Sequence, residues 1–105
     1  MATPESKVKD KVKKILKEWK AYYFMPVQAG YGMPALDFHC CVHGVAFFIE
    51  TKAPGKKPTA RQEVTIGEIE KSGGRCFVID GSDYTELVNW LTLVHLAHTP
   101  PIDVE

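Results

Sequence analysis

Asp37, Glu50 and Lys52 are the residues whose types and spacing best fit a chemical site in this chain. Asp37 and Glu50 lie at the outer ends of two apolar segments joined by His43-Gly44, a dipeptide suited to a tight hairpin turn because glycine readily adopts positive φ. A two-residue or four-residue turn there places Asp37 directly opposite Glu50 in an antiparallel pair, whereas a three-residue turn shifts the register. We therefore expect two facing carboxylates.

Facing carboxylates repel each other and normally cost stability. A hard divalent cation such as Mg²⁺ reverses that sign, because it binds carboxylate oxygens while keeping several waters. Lys52 follows Glu50 by two residues and so projects to the same side of the strand, where it could hold a phosphate or a metal-bound hydroxide. The pattern predicts a metal site.

The hairpin that positions these residues is expected over about 35–52. Alternation along its strands predicts one face that carries the acids and the lysine and a second face that is wholly apolar. The first face holds Asp37, His39, Cys41, Ala46, Phe48, Glu50 and Lys52, and the second holds Phe38, Cys40, Val42, Val45, Phe47 and Ile49. The apolar face is therefore expected to meet the core.

A helix is predicted to begin at Thr3 as N-cap, with Pro4 in its first turn. Its buried stripe recurs at helical spacing and consists of Val8, Val12, Ile15, Leu16 and Trp19. Glu5 lies at the N-terminal end of the same stripe. It is either a first-turn acid that complements the helix dipole or an additional acid near the metal.

The other elements complete a mixed sheet. Residues 21–28 are a predicted strand that Pro26 weakens, and residues 75–80 are an apolar strand expected in the sheet interior and parallel to the Glu50 strand. Between them, 59–62 has capping-box spacing that opens a helix, so Gln62 could be only a cap residue. Asp83 is expected to cap a last, largely apolar helix that 99–101 ends, and a second subunit could cover it. The predicted fold is α/β, a small mixed sheet flanked by helices in the order α-β-β-β-α-β-α.

Length and composition limit the class of protein. The 105 residues fit one domain, 1–105, with a modest core. No segment approaches the roughly 20 apolar residues of a membrane span, and the N-terminus lacks the apolar stretch of a signal peptide, so a cytoplasmic protein without membrane association is expected. Three cysteines argue against a disulfide framework and for reduced, mostly buried thiols.

The net charge of zero conceals a segregated pattern. Residues 1–20 and 51–62 are basic, whereas the chain from 63 onward is acidic, so a basic face could meet a polyanion. A solvated helix face explains the N-terminal lysines equally well. Lys56 and Lys57, with Arg61 just beyond, form a basic loop beside the acidic pair, where a phosphodiester backbone would be bound. Tyr31, in the loop before the hairpin, could stack on a sugar or base or simply pack on the protein.

The spacing Asp37…Glu50-Thr51-Lys52 resembles the signature of the PD-(D/E)xK nucleases. The sequence continues with Gly32-x-Pro34, 48–55 and 58–62, and over roughly 5–80 it is similar to the VRR-NUC branch, particularly its short stand-alone members from bacteriophages. One departure is that the family usually has a Pro-Asp dipeptide, whereas here Ala35 follows Pro34. Asp37 is preferred for its spacing to Glu50 and for the hairpin register.

The resemblance implies a restriction-endonuclease-like fold and a Mg²⁺- or Mn²⁺-dependent DNA endonuclease. Asp37, Glu50 and the Thr51 carbonyl would bind the metal, and Lys52 would orient or activate the attacking water. Gln62 would support the site, and Glu5 would correspond to an acid that many members carry on the first helix. It further implies a homodimer acting on branched DNA such as four-way (Holliday) junctions, in the bacterial host cytoplasm if a phage encodes it.

Three other interpretations remain. A zinc or redox module from His39, Cys40, Cys41 and His43 conflicts with strand alternation, which separates these side chains, and with the absence of a second ligand pair at zinc spacing. A non-catalytic nucleic-acid-binding module would keep the basic loop, and divalent-dependent cleavage separates it from an enzyme. An interaction domain would explain the apolar last helix but not the facing carboxylates.

Overall fold

The computed structural model describes residues 3–27 and 34–98. Within those ranges three helices and four strands follow the predicted order α-β-β-β-α-β-α. The elements are α1 (Pro4–Glu18), β1 (Tyr22–Phe24), β2 (Phe38–Val42), β3 (Val45–Thr51), α2 (Ala60–Lys71), β4 (Arg75–Ile79) and α3 (Thr85–His98). The predicted α/β class is confirmed.

The strands form one mixed sheet in the order β1-β2-β3-β4. β2 and β3 pair through a two-residue turn in which His43 and Gly44 both have positive φ, 51° and 79°, as a type I′ turn requires. β4 runs parallel to β3, as predicted, but it is the edge strand and not an interior one. The error arises because a four-residue apolar run, 76–79, does not show which strands lie beside it; Phe77 and Ile79 are buried, whereas Val78 is exposed.

The helices begin much as their capping residues predict. The Thr3 side chain accepts from the Ser6 backbone N–H at the start of α1, and Thr59 with Gln62 forms a complete capping box at the start of α2. The last helix differs, since Asp83 accepts from the Thr85 N–H in a local turn before the helix and is not its cap.

The two faces of the sheet are covered unequally. α1 and α3 pack on the apolar face around a common core of Val8, Val12, Ile15, Leu16, Phe38, Cys40, Val42, Phe47, Ile49, Phe77, Ile79, Leu87 and Leu91. α2 lies on the opposite face and buries no residue completely, while Ile69 approaches Gly74 and Phe48 lies close by. The face that was predicted to carry the acids is therefore the more open one.

β1 is shorter than the predicted strand over 21–28 and ends before Pro26. Tyr31 and the helix stop at 99–101 lie outside the described residues. Within the residues that are described, no helix is long and apolar enough to cross a membrane.

Candidate active site

The hairpin register brings Asp37 to Glu50. The ladder runs from Val42 opposite Val45 to Phe38 opposite Ile49, and the next pair outward is Asp37 and Glu50. The Asp37 backbone N–H donates to Glu50 Oε1 at 3.2 Å. The predicted register is confirmed, and the two carboxylates meet where β2 begins and β3 ends.

Thr51 holds the Asp37 carboxylate in place. Its backbone N–H and its hydroxyl both donate to Asp37 Oδ2, at 2.9 Å and 2.7 Å, and Thr51 is completely buried. Only the Thr51 carbonyl was expected in the site. Strand alternation gave no signal for the hydroxyl, because it assigns neighbouring side chains to opposite faces.

Glu50 is the buried acid of the pair, with 2% of its surface exposed. Its Oε2 lies 3.4 Å from Lys52 Nζ and accepts from Gln62 Nε2 at 2.8 Å. Burial raises the pKa of Glu50 above its ordinary value and the nearby Asp37 charge raises it further, whereas Lys52 and the Asp37 N–H act in the opposite direction.

Gln62 both caps α2 and hydrogen-bonds to Glu50, the two roles that its sequence context left open. Its Oε1 accepts from the Thr59 backbone N–H at 2.9 Å, which completes the capping box of α2. That bond fixes the orientation of the amide, so the NH₂ group faces Glu50. A helix cap thus supplies the hydrogen bond that supports the buried acid.

The charge balance of this group favours a cation. Two carboxylates face one ammonium, and the side chains of Glu50 and Lys52 are only 2% and 14% exposed, so solvent offsets little of the negative charge at Glu50. Asp37 Oδ1 accepts no hydrogen bond from the described residues, and Glu50 Oε1 accepts one. These oxygens fit a hard divalent ion that keeps several waters. In the described ranges no third Asp, Glu, His or Cys joins them in a metal-binding group.

Lys56, Lys57, Arg61 and Glu5 are the other predicted site residues that the structure describes. Lys56, Lys57 and Arg61 are exposed on the loop and helix start that follow Lys52. Glu5 is half-buried in the first turn of α1, and among the described residues it forms no hydrogen bond or ion pair with Asp37, Glu50 or Lys52. The structure thus brings Asp37, Glu50, Thr51, Lys52 and Gln62 into one bonded group.

Asp80, which was not predicted as a site residue, connects the basic loop to the end of β4 through a hydrogen bond. It follows β4, and its Oδ2 accepts from the Gly55 N–H at 3.2 Å while its Oδ1 accepts from Ser82. These hydrogen bonds lower the pKa of Asp80. Gly55 has a φ of 80°, so this turn also depends on glycine.

The cysteines do not form a zinc site with their histidine neighbours. Cys40 is buried and Cys41 is exposed on opposite faces of β2, so the expectation of mostly buried thiols is wrong for Cys41. The Nε2 atom of His43 instead lies 3.3 Å from Nδ1 of His95 on α3.

No protein-family model matches the sequence, and no curated protein matches it either. A solved structure described as a VRR_NUC domain is similar to the chain, with a TM-score of 0.68 over 94% of this chain and 100% of the other, at 21% identity. A likeness at this identity establishes the fold, so the chain has the fold of a VRR_NUC domain, as its sequence resemblance predicted.

Proposed function

We propose that this chain is a single VRR-NUC nuclease domain, residues 1–105, that hydrolyses phosphodiester bonds of DNA with Mg²⁺ or Mn²⁺. The observation that carries the proposal is the bonded group of Asp37, Glu50 and Lys52 at the end of β3. A PD-(D/E)xK nuclease needs two carboxylates and a lysine converging in this way, and the likeness to a VRR_NUC domain supports the assignment.

Asp37 and Glu50, with the Thr51 carbonyl, are the groups that would hold the metal. When bound, the ion supplies a Lewis acid and lowers the pKa of a bound water. The Lys52 ammonium lies 3.4 Å from Glu50 Oε2. From this position it orients the attacking water and offsets charge on the scissile phosphate. Gln62 donates to the same Glu50 oxygen that Lys52 approaches, and Thr51 donates to Asp37, so both acids are fixed before substrate arrives.

The DNA backbone is assigned to the basic loop. Lys56, Lys57 and Arg61 are exposed beside the site, and cations in such a position bind phosphates without reading sequence. Tyr31 and Glu5 complete the proposed set, Tyr31 as a contact to sugar or base and Glu5 as an acid near the metal.

The preferred substrate is proposed to be branched DNA, including four-way junctions, cut by a homodimer. Two active sites related by a two-fold axis suit the symmetric cleavage of a junction. Leu93 and Leu96 of α3 are exposed one helical turn apart, which supports a subunit contact there. We place the protein in the cytoplasm, that of the bacterial host if it is phage-encoded.

Cleavage of end-labelled DNA tests the proposal. Four-way junction, linear duplex and single-stranded DNA are incubated with Mg²⁺, Mn²⁺ or EDTA, beside the Lys52→Ala protein as a control for contaminating nucleases. We expect metal-dependent cutting that the variant lacks, with the junction cut fastest. A folded protein that shifts DNA in a gel but cuts none of the three substrates would instead be a non-catalytic binding module.

A further inference from the structure

Two aromatic side chains of β1 project from the open face of the sheet. Tyr23 packs edge-on against Phe38, with ring centroids 5.7 Å apart, and so belongs to the core side. Alternation then places Tyr22 and Phe24 on the opposite face, where 66% and 53% of their surfaces are exposed. β1 therefore presents two exposed aromatic side chains on one face of the sheet.

These side chains lie on the same face of the sheet as the buried acid. Phe24 is opposite His39, and His39 is opposite Phe48, so the three form one row across the strands. The rings of His39 and Phe48 are in edge contact at 5.2 Å. Phe48 precedes Glu50 by two residues, which puts the row about 7 Å along β3 from the acid. α2 covers the β3–β4 half of this face, where Ile69 reaches Gly74, and none of the described helices covers Tyr22 and Phe24.

The charge of this surface suits a polyanion. β1 and β2 contain no aspartate or glutamate, and the exposed Lys20 stands two residues before Tyr22. Nothing on these two strands therefore repels a phosphate backbone.

The size of the aromatic surface is that of a few bases and not of a protein interface. Two aromatic side chains bury about 150 to 250 Å² each when fully covered, and about half to two thirds of these two is available. A stable protein partner needs about 800 Å² on each side. Bases stack on exposed aromatic rings of sheets in many proteins that bind single strands, and the stacking tolerates any sequence.

We infer that Tyr22 and Phe24 stack unpaired nucleotides beside the cut site, so that the substrate is DNA with a single-stranded segment next to the scissile phosphate. This inference rests on the proposed nuclease function. It gives the enzyme a physical reason to act at branch points, where bases are unstacked, without reading sequence.

The test is a binding titration in which DNA remains intact. Full-length protein carrying Lys52→Ala is titrated into a fluorescent duplex with a single-stranded tail and into a blunt duplex of equal length. Tyr22→Ala and Phe24→Ala are each expected to weaken binding of the tailed DNA by about 5- to 100-fold and to leave the blunt duplex within about twofold. Val64→Ala, on α2 and 61% exposed, is the matched control and should change neither.

A stacking-specific readout separates a base contact from a general loss of affinity. 2-Aminopurine in the tail should change its fluorescence on binding, Phe24→Ala should remove that change, and Phe24→Tyr should retain it. Equal loss of affinity for both DNAs, or no loss for the tailed one, would overturn the inference. A dimer that becomes monomeric in Tyr22→Ala or Phe24→Ala, measured by light scattering, would also overturn it, because the surface would then bind a second copy.

Cleavage distinguishes failure of the inference from failure of the proposed function. If the wild type cuts DNA with metal and Phe24→Ala cuts tailed and blunt DNA as the wild type does, only the inference fails. If the wild type cuts no DNA at all, the proposed function fails, and with it the assignment of the row to a cut site. Faster cutting of the tailed DNA that depends on Phe24 supports both.

Discussion

Replacing Thr51 with valine removes a single donor from the Asp37 carboxylate while keeping the size and β-branched shape of the side chain. The lost bond joins the hydroxyl to the carboxylate oxygen Asp37 Oδ2 at 2.7 Å, and Thr51 itself is completely buried. Hydrogen bonds to charged groups contribute about 1.5 to 3 kcal/mol. For a chain of this length, the melting temperature should therefore fall by roughly 6 °C or more.

The same change should weaken Mn²⁺ binding, because Asp37 loses one of the two donors that orient it. Losing a residue that orients a metal ligand through a hydrogen bond typically lowers metal affinity or activity by about 10- to 100-fold. The assays are thermal unfolding with and without Mn²⁺ and initial rates of junction cleavage.

Thr51→Ser is the matched control, since it keeps the hydroxyl and loses only one buried methyl group, at about 1 kcal/mol. It should retain metal affinity and most of the cleavage rate. If Thr51→Val binds Mn²⁺ as tightly as the wild type, or if the serine variant is impaired as strongly as the valine variant, the assignment of Thr51 as the residue that positions Asp37 is refuted.

Three further predictions follow from the site. The pKa of Glu50 in the folded protein is above its ordinary value of 4.5, so the metal-free protein should lose stability as pH rises from about 4.5 through that raised pKa. The loss should be at most about 1.4 kcal/mol per pH unit. Glu50→Gln should flatten this pH dependence, measured by denaturant titration at each pH. Gln62→Ala and Thr59→Ala both break the capping box and should each lower the free energy of unfolding by about 1 kcal/mol or more. Only Gln62→Ala removes the hydrogen bond to Glu50, so only that variant should slow cleavage, by about tenfold or more. Equal cleavage rates in the two variants would contradict this role of Gln62. Replacing Lys56 and Lys57 with alanine should reduce the slope of log binding constant against log salt concentration by up to about 2. Lys71→Ala, at the far end of α2, should leave that slope unchanged.

The sequence predicts the hairpin and its register because one local feature determines both. A turn at His43-Gly44 sets every pair of the ladder, and alternation then assigns each side chain to a face. The capping residues Thr3 and Thr59 work in the same way, since a side-chain oxygen and nearby N–H groups are enough to begin a helix.

The features that the sequence did not predict depend on contacts between distant segments. Whether β4 lies at an edge is decided by which strand pairs with it and not by its own residues. The Thr51 hydroxyl of β3 meets Asp37 directly before β2 begins, 14 residues away in sequence, and Asp80 meets Gly55 across 25 residues of sequence. Gln62 was foreseen in two separate roles, but not as one side chain that fills both.

The most direct test of the account is calorimetric titration of Mn²⁺ into the wild type, Asp37→Asn and Glu50→Gln, with the exposed Glu63→Gln as control. The account predicts saturable binding in the wild type and the control and its loss in both site variants. It also predicts proton release on binding at mildly acidic pH, measured in buffers of different ionisation enthalpy, because the metal displaces the proton that the raised pKa of Glu50 retains. Undiminished Mn²⁺ binding in both site variants would contradict the claim that Asp37 and Glu50 form the metal site.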